Sequence, residues 1–261
     1  MSRTWIFTVL LASKSLAWKH HLFTSSFATP HLYTLEFDDE EYSLKNIANI
    51  TAQSGHPWLS FSYDKASLYA GVNDGFASYL VGNSTSLSYT RTVPVGNKCP
   101  GTKAAAGSPY MIAEQRTPFN VFGAPSATCG TAISVDSEGT LNEVVQSFKY
   151  SDRSQIKGLA MDPENRFLYS ADEAANGIWT HSVNDEGKVG KVVFTASPFP
   201  NSAPRKLVVH PNGLYLYCIA SRANSVLIYA INAGPGAERT PLTYTGVSYS
   251  LLPQSKSARF Y

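Results

Sequence analysis

Apolar and polar residues alternate in short runs along most of this chain, and the runs are broken by residues such as Gly, Asn, Asp and Pro. Ile178-Trp179-Thr180-His181-Ser182-Val183 and Leu227-Ile228-Tyr229-Ala230-Ile231 follow a period of two, which sends successive side chains to opposite faces of a strand. No long helical stretch competes, so the pattern predicts short strands joined by turns. The pattern also repeats. Residues 158–184 and 206–232 each give an apolar strand, a polar turn, a Leu-Tyr strand, a loop containing Asn and a third alternating strand. Fainter copies run through Leu59 to Val81, through His21 to Phe37 and through Val121 to Val135. The marker residues Phe23, Tyr69, Phe122, Tyr169 and Tyr217 stand 46, 53, 47 and 48 residues apart. Units of about 48 residues with three or four strands match the blade of a β-propeller, in which radial stacking buries both faces of each sheet. The spacing therefore predicts an all-β propeller over residues 18–261 with about five blades. Leu242-Thr243-Tyr244-Thr245 reads as an outermost strand, and no closing element precedes Tyr261, so the ring is expected to be incomplete.

Composition agrees with that picture and narrows the partners. The 261 residues are 43% hydrophobic and only 15% charged, enough to bury a core and too few charges for a disordered chain. Lys and Arg number 21 against 19 Asp and Glu, with no dense basic run, so nucleic acid is excluded as an expected partner. Residues 1–17 have the layout of a secretory signal peptide: Arg3, an apolar stretch from Trp5 to Ala12, and the small-residue site Ser15-Leu16-Ala17. That stretch is too short to span a bilayer, and the expected location is secreted, with a cytoplasmic protein as the alternative reading. Asn49-Ile50-Thr51 and Asn83-Ser84-Thr85 are glycosylation acceptor triplets. Cys99 and Cys129 flank a Gly-, Ala- and Pro-rich insertion and are expected to form a disulfide, whereas Cys218 lies in a strand-like run as a small buried hydrophobe.

The blade geometry then selects candidate chemistry. Residues that enter the innermost strands converge on the propeller axis, and Lys157 and Arg205 each lie 12 residues before a marker tyrosine. Two cations at one mouth point to a small anionic ligand, a polycarboxylate or sugar acid, with Arg205 as a bidentate fork and Lys157 as a point charge or proton carrier. Ser221, Arg222 and Asn224 occupy the loop after one Leu-Tyr strand and are further candidate binding residues. His181 and His210 are explained by strand alternation and by a His-Pro-Asn-Gly hairpin. No Cys/His spacing suggests a metal, and no nucleophile elbow, phosphate loop or dinucleotide fingerprint is present.

Several segments carry a family resemblance. His20-His21-Leu22-Phe23, Gly158-Leu159-Ala160-Met161-Asp162-Pro163, Leu168-Tyr169-Ser170-Ala171-Asp172, Ile178-Trp179-Thr180-His181 and Pro204-Arg205 through His210-Pro211-Asn212-Gly213 closely resemble the fungal carboxy-cis,cis-muconate cyclases. These stand among the seven-bladed lactonase propellers, alongside 6-phosphogluconolactonase-like proteins. The resemblance implies a truncated seven-bladed ring and metal-independent, cofactor-free lactone-forming cycloisomerisation, or lactone hydrolysis. It assigns Arg205 to a substrate carboxylate. It also implies a catalytic histidine where this chain has Lys157, a glutamate where it has Ser221, and a further arginine beyond Tyr261. The expected function is thus a muconate cyclase-like lactonase propeller with weakened or altered turnover. The alternative is a secreted, non-catalytic propeller that binds a small anionic or sugar-derived ligand.

Overall fold

The computed structural model describes residues 18–96, 110–234 and 236–253. Their regular structure is all β. The first sheet has three strands, β1 (Lys19–Ser25), β2 (His31–Asp38) and β3 (Ser43–Thr51). Four four-stranded antiparallel sheets follow in chain order. The second is β4 (Leu59–Phe61), β5 (Ser67–Val72), β6 (Gly75–Asn83) and β7 (Ser86–Pro94). The third is β8 (Tyr110–Ala113), β9 (Val121–Ser126), β10 (Cys129–Val135) and β11 (Leu141–Lys149). The fourth is β12 (Ile156–Met161), β13 (Phe167–Asp172), β14 (Gly177–Val183) and β15 (Val189–Ala196). The fifth is β16 (Pro204–Val209), β17 (Tyr215–Ala220), β18 (Ser225–Ile231) and β19 (Leu242–Ser250). Each sheet is a simple meander, so every blade is built from local hairpins.

The predicted repeat is the blade. Tyr69, Phe122, Tyr169 and Tyr217 all lie on the second strand of their sheets, whereas Phe23 lies on the first strand of a three-stranded sheet. Among the described residues, the first blade therefore has no innermost strand. The turns repeat as well. Asn165 and Gly213, 48 residues apart, both take a left-handed conformation, with φ of 55° and 72°, in the hairpin after the innermost strand. Asn tolerates that region and Gly prefers it, so both turns close without strain.

The core lies between the blades. Ala160, Tyr169 and Ile178 of the fourth sheet meet Leu207, Leu216, Cys218 and Tyr229 of the fifth. Leu32 and Ala52 of the first blade region pack on Leu68, Ala70 and Tyr79 of the second. His181 is buried beside Phe148 and Tyr150, with ring centroids 5.0 and 5.4 Å away, and burial pulls its pKa down to about 4. Its role is inter-blade packing, as its strand context implies. Burial likewise pushes the Cys218 thiol up to about 12, a value suited to a hydrophobe and not to a nucleophile.

The signal-like segment 1–17, the Cys99 side of the expected disulfide and the residues from 254 onward lie outside the described residues. Cys129 is buried at the start of β10. Asn49, on the outermost strand β3, and Asn83, at the end of β6, are both exposed.

Candidate anion-binding site on the propeller axis

The innermost strands deliver the same two repeat positions to the axis from successive blades. Pro57, Tyr110, Lys157 and Arg205 each stand 12 residues before the marker of their blade, and Trp58, Met111, Gly158 and Lys206 follow directly. In the fourth and fifth sheets this point is a bulge. Ile156 pairs with Asp172 and Gly158 with Ala171, which leaves Lys157 over; Pro204 pairs with Ala220 and Lys206 with Ile219, which leaves Arg205 over. A bulge bends the strand and re-aims the spare side chain, so Lys157 and Arg205 are equivalent in backbone as well as in sequence.

Gly158 lets these two strands approach. A Cβ built on it would stand 2.3 Å from the Arg205 carbonyl oxygen, far inside contact distance. The lack of a side chain at this position thus seats β16 against β12.

A cavity of about 380 Å³ opens on the axis, lined by Phe27, Pro57, Trp58, Tyr110, Arg205, Lys206 and Ile219. Loop and strand residues from the first, second, third and fifth blades meet here. The Lys206 Nζ lies 3.5 Å from the centre of the Trp58 ring and 4.5 Å from that of Tyr110. The two rings meet edge to face, 5.2 Å between centroids, and the Trp58 Nε1–H donates to the Met111 carbonyl at 2.9 Å. That hydrogen bond ties the indole of the second blade to the innermost strand of the third. The ring faces attract the ammonium through their quadrupoles without supplying a counter-charge. Among the described residues, neither Arg205 nor Lys206 forms an ion pair. Burial, and then the neighbouring Arg205 cation, lowers the Lys206 pKa to about 8.

The sequence-predicted residues separate into two groups. Arg205 lines the cavity, whereas Lys157, half-buried at the equivalent bulge one blade earlier, is not among the lining residues. Ser221, Arg222 and Asn224 form the β17–β18 turn. The Ser221 hydroxyl donates to the Ala203 carbonyl at 3.1 Å, and the Arg222 guanidinium bonds the Asn201 side chain and stands 3.7 Å from Glu173. Asn224 sits at φ 48° and donates to the Arg222 carbonyl. All three are engaged within this turn and its neighbours, outside the cavity lining. Lys206, Trp58 and Tyr110 were missed by the sequence reading. The 12-residue offset that singles out Lys157 and Arg205 also singles out Pro57 and Tyr110, and one step further lie Trp58 and Lys206.

Among the described residues, no group of three or more His, Cys, Asp or Glu side chains is arranged to hold a metal. The chemistry on offer at the axis is a guanidinium fork, an ammonium with a lowered pKa and an aromatic wall. Such a set has the chemistry to hold a small anion and to exchange a proton with it.

The family model described as a seven-bladed β-propeller lactonase matches residues 22–247. Carboxy-cis,cis-muconate cyclase of Neurospora crassa is 29% identical over 170 residues, which cover 62% of this chain and 46% of that protein. The chain thus aligns with less than half the length of this curated relative. The periplasmic gluconolactonase of Pseudomonas aeruginosa superposes with a TM-score of 0.74 at 17% identity, over 92% of this chain and 70% of that one. A Lactobacillus plantarum protein gives 0.73 at 19% identity, over 93% and 70%. At these identities the two structures report the fold.

Proposed function

We propose that this chain, which belongs to the seven-bladed β-propeller lactonase family, binds a small polycarboxylate or its lactone in the axial cavity. The observation that carries this reading is the pair Arg205 and Lys206, two adjacent cations in one cavity that form no ion pair among the described residues. Arg205 accepts one substrate carboxylate in its fork, and the Lys206 ammonium faces a second acceptor or the reacting carbon. Trp58 and Tyr110 give an aromatic wall beside the two cations.

The reaction this set suits is the interconversion of an unsaturated carboxylate and its lactone. In the forming direction a carboxylate oxygen bonds to one alkene carbon while the other alkene carbon takes a proton from Lys206, which is then restored from solvent. In the opening direction the Lys206 amine removes that proton and the carboxylate leaves. No other atom is gained or lost. A lysine with a pKa of about 8 is suited to both directions, because near neutral pH it holds a proton yet releases it readily. The likeness to the Neurospora cyclase supports 3-carboxymuconate as the first substrate to test.

The non-catalytic reading has its own support. Ser221, where the family resemblance implies a glutamate, is engaged with a backbone carbonyl and offers no carboxylate base. The exposure of Asn49 and Asn83 fits a secreted, glycosylated form of either kind.

The test is to follow the ultraviolet absorbance of 3-carboxy-cis,cis-muconate with the purified chain, and its binding by calorimetry. Arg205→Ala is expected to weaken binding about 10- to 100-fold, the value of a charged hydrogen-bonded contact. Lys206→Met should cut turnover about 100-fold or more while binding weakens less. Binding without turnover would leave the non-catalytic reading, and unchanged binding in Arg205→Ala would remove both.

A further inference from the structure

The innermost strands have a second end. Trp58 and Tyr110 mark where β4 and β8 begin, and Ser62 and Glu114 follow directly where they finish. With four residues in β8, at about 3.3 Å per residue, the two ends lie about 13 Å apart. At the far end is another cavity, about 340 Å³, set between the second and third blades and independent of the axial site.

Its chemistry is opposite in sign. Glu114 is 1% exposed and lines this cavity. One of its oxygens, Oε2, accepts the Asn120 backbone N–H at 2.8 Å, while Oε1 is buried and has no hydrogen-bond partner among the described residues. A buried carboxylate oxygen without a donor is costly, and the side chain that carries it lines an empty volume. Two further carboxylates line the cavity from other turns. Asp64 Oδ1 takes the Ser62 hydroxyl and the Ala66 N–H, and Asp136 Oδ1 takes the N–H groups of Glu138 and Thr140. Those bonds fix both side chains and leave their charge uncancelled. Among the described residues, no Lys, Arg or His forms an ion pair with Glu114, Asp64 or Asp136. Both aspartates raise the pKa of the Tyr69 phenol, after its burial, so their field reaches across the cavity wall. Burial likewise holds the Glu114 carboxyl up at about 7, the position of an acid that lacks a counter-ion.

The remaining wall is aromatic. Tyr63 and Phe119 stack with centroids 6.0 Å apart and planes 25° apart, and both are exposed. Their faces suit an apolar body that carries positive charge. A metal ion is a poor match, because the three carboxylates are not arranged to ligate one.

We propose that this cavity binds a small organic cation, an ammonium on an apolar body, with the Glu114 carboxylate as its anchor and Tyr63 and Phe119 against its apolar part. The aspartates add attraction without contact. The same chemistry is presented by a free amine and by a lysine side chain.

The test is calorimetric titration of the full chain with benzylammonium, with N-acetyl-lysine amide, with benzyl alcohol as the uncharged counterpart, and with calcium chloride. Saturable binding of one equivalent of either ammonium is expected, with little or no binding of benzyl alcohol or calcium; the tighter of the two ammonium ligands identifies the source. Glu114→Gln should weaken it at least 10-fold, Tyr63→Ala several-fold, and Arg205→Ala, in the other cavity, not at all. If Glu114→Gln fails to fold, the exposed Tyr63→Ala and the chemical shifts of residues 62–64 and 113–120 on titration decide the matter. Equal affinity for benzyl alcohol, preference for calcium, no saturable binding, or unchanged affinity in Glu114→Gln would overturn the proposal.

Discussion

A lysine whose ammonium rests on two aromatic rings beside an arginine, with no ion-pair partner among the described residues, governs how the axial cavity responds to pH. Folding lowers the Lys206 pKa from 10.5 to about 8, chiefly through burial. The unfolded lysine keeps its proton over an interval in which the folded one has lost it, so between these two values the stability of the free protein rises with pH. Anion binding has the opposite slope, because the ligand needs the ammonium. Affinity for a tricarboxylate measured by calorimetry should be flat below the Lys206 pKa and decline above it, and Lys206→Met should abolish that decline. An unchanged pH profile in Lys206→Met would remove Lys206 from the site. The sequence made Arg205 visible because a charge at a fixed offset stands out against an apolar strand. Lys206 was not visible, because a second charge at a strand start reads as a solvated turn residue until the rings above it are known.

At the scale of the element, the repeated bulge decides which side chains reach the axis. The spare residues Lys157 and Arg205 occur at the same step of two neighbouring strands, and the glycine after the first lets the second strand close in. Gly158→Ala would drive a methyl group into the Arg205 carbonyl, and backbone cannot yield as a flexible side chain can. We expect a loss of about 1–3 kcal/mol in denaturant unfolding together with weaker anion binding, since β16 must move with both of its cations. A stability loss with unchanged binding would separate the seating of this strand from the site. The strands themselves were legible, because an aliphatic-aromatic pair, Leu-Tyr in the second, fourth and fifth blades, Leu22-Phe23 in the first and Val121-Phe122 in the third, recurs with its alternation. The innermost strand of the third blade was not: Tyr110-Met111-Ile112-Ala113 is only four residues long and lies within the segment between Cys99 and Cys129 that the sequence reads as an insertion, so no pattern marks it. Glu114 was hidden for a related reason, since burial of a single acid in an irregular turn leaves no period to read.

At the scale of the molecule, stability is distributed over interfaces between successive sheets, as in other stacked architectures. Leu207 is buried in the interface of the fourth and fifth blades, whereas Val208, its neighbour on β16, is 61% exposed on the opposite face. Leu207→Ala should cost about 2–5 kcal/mol, and Val208→Thr should change the unfolding free energy by less than about 0.5 kcal/mol. Similar costs at the two positions would mean that the outer face of the fifth sheet is covered in solution. The propeller class and the number of sheets were readable because every interface of this kind demands the same periodic pattern. Which side chains face one another across the axis was not, because that depends on how the sheets are set around it and not on any one of them. The choice of aromatic rings, and not an acid, to hold Lys206 has a final consequence. Rings leave the formal charge of a cation intact, so an arriving dianion has no carboxylate among the described residues to evict from either cation and meets two positive centres at once. Docking should therefore be quick and strongly weakened by added salt, with most of the attraction of a nearly neutral protein concentrated at its hub.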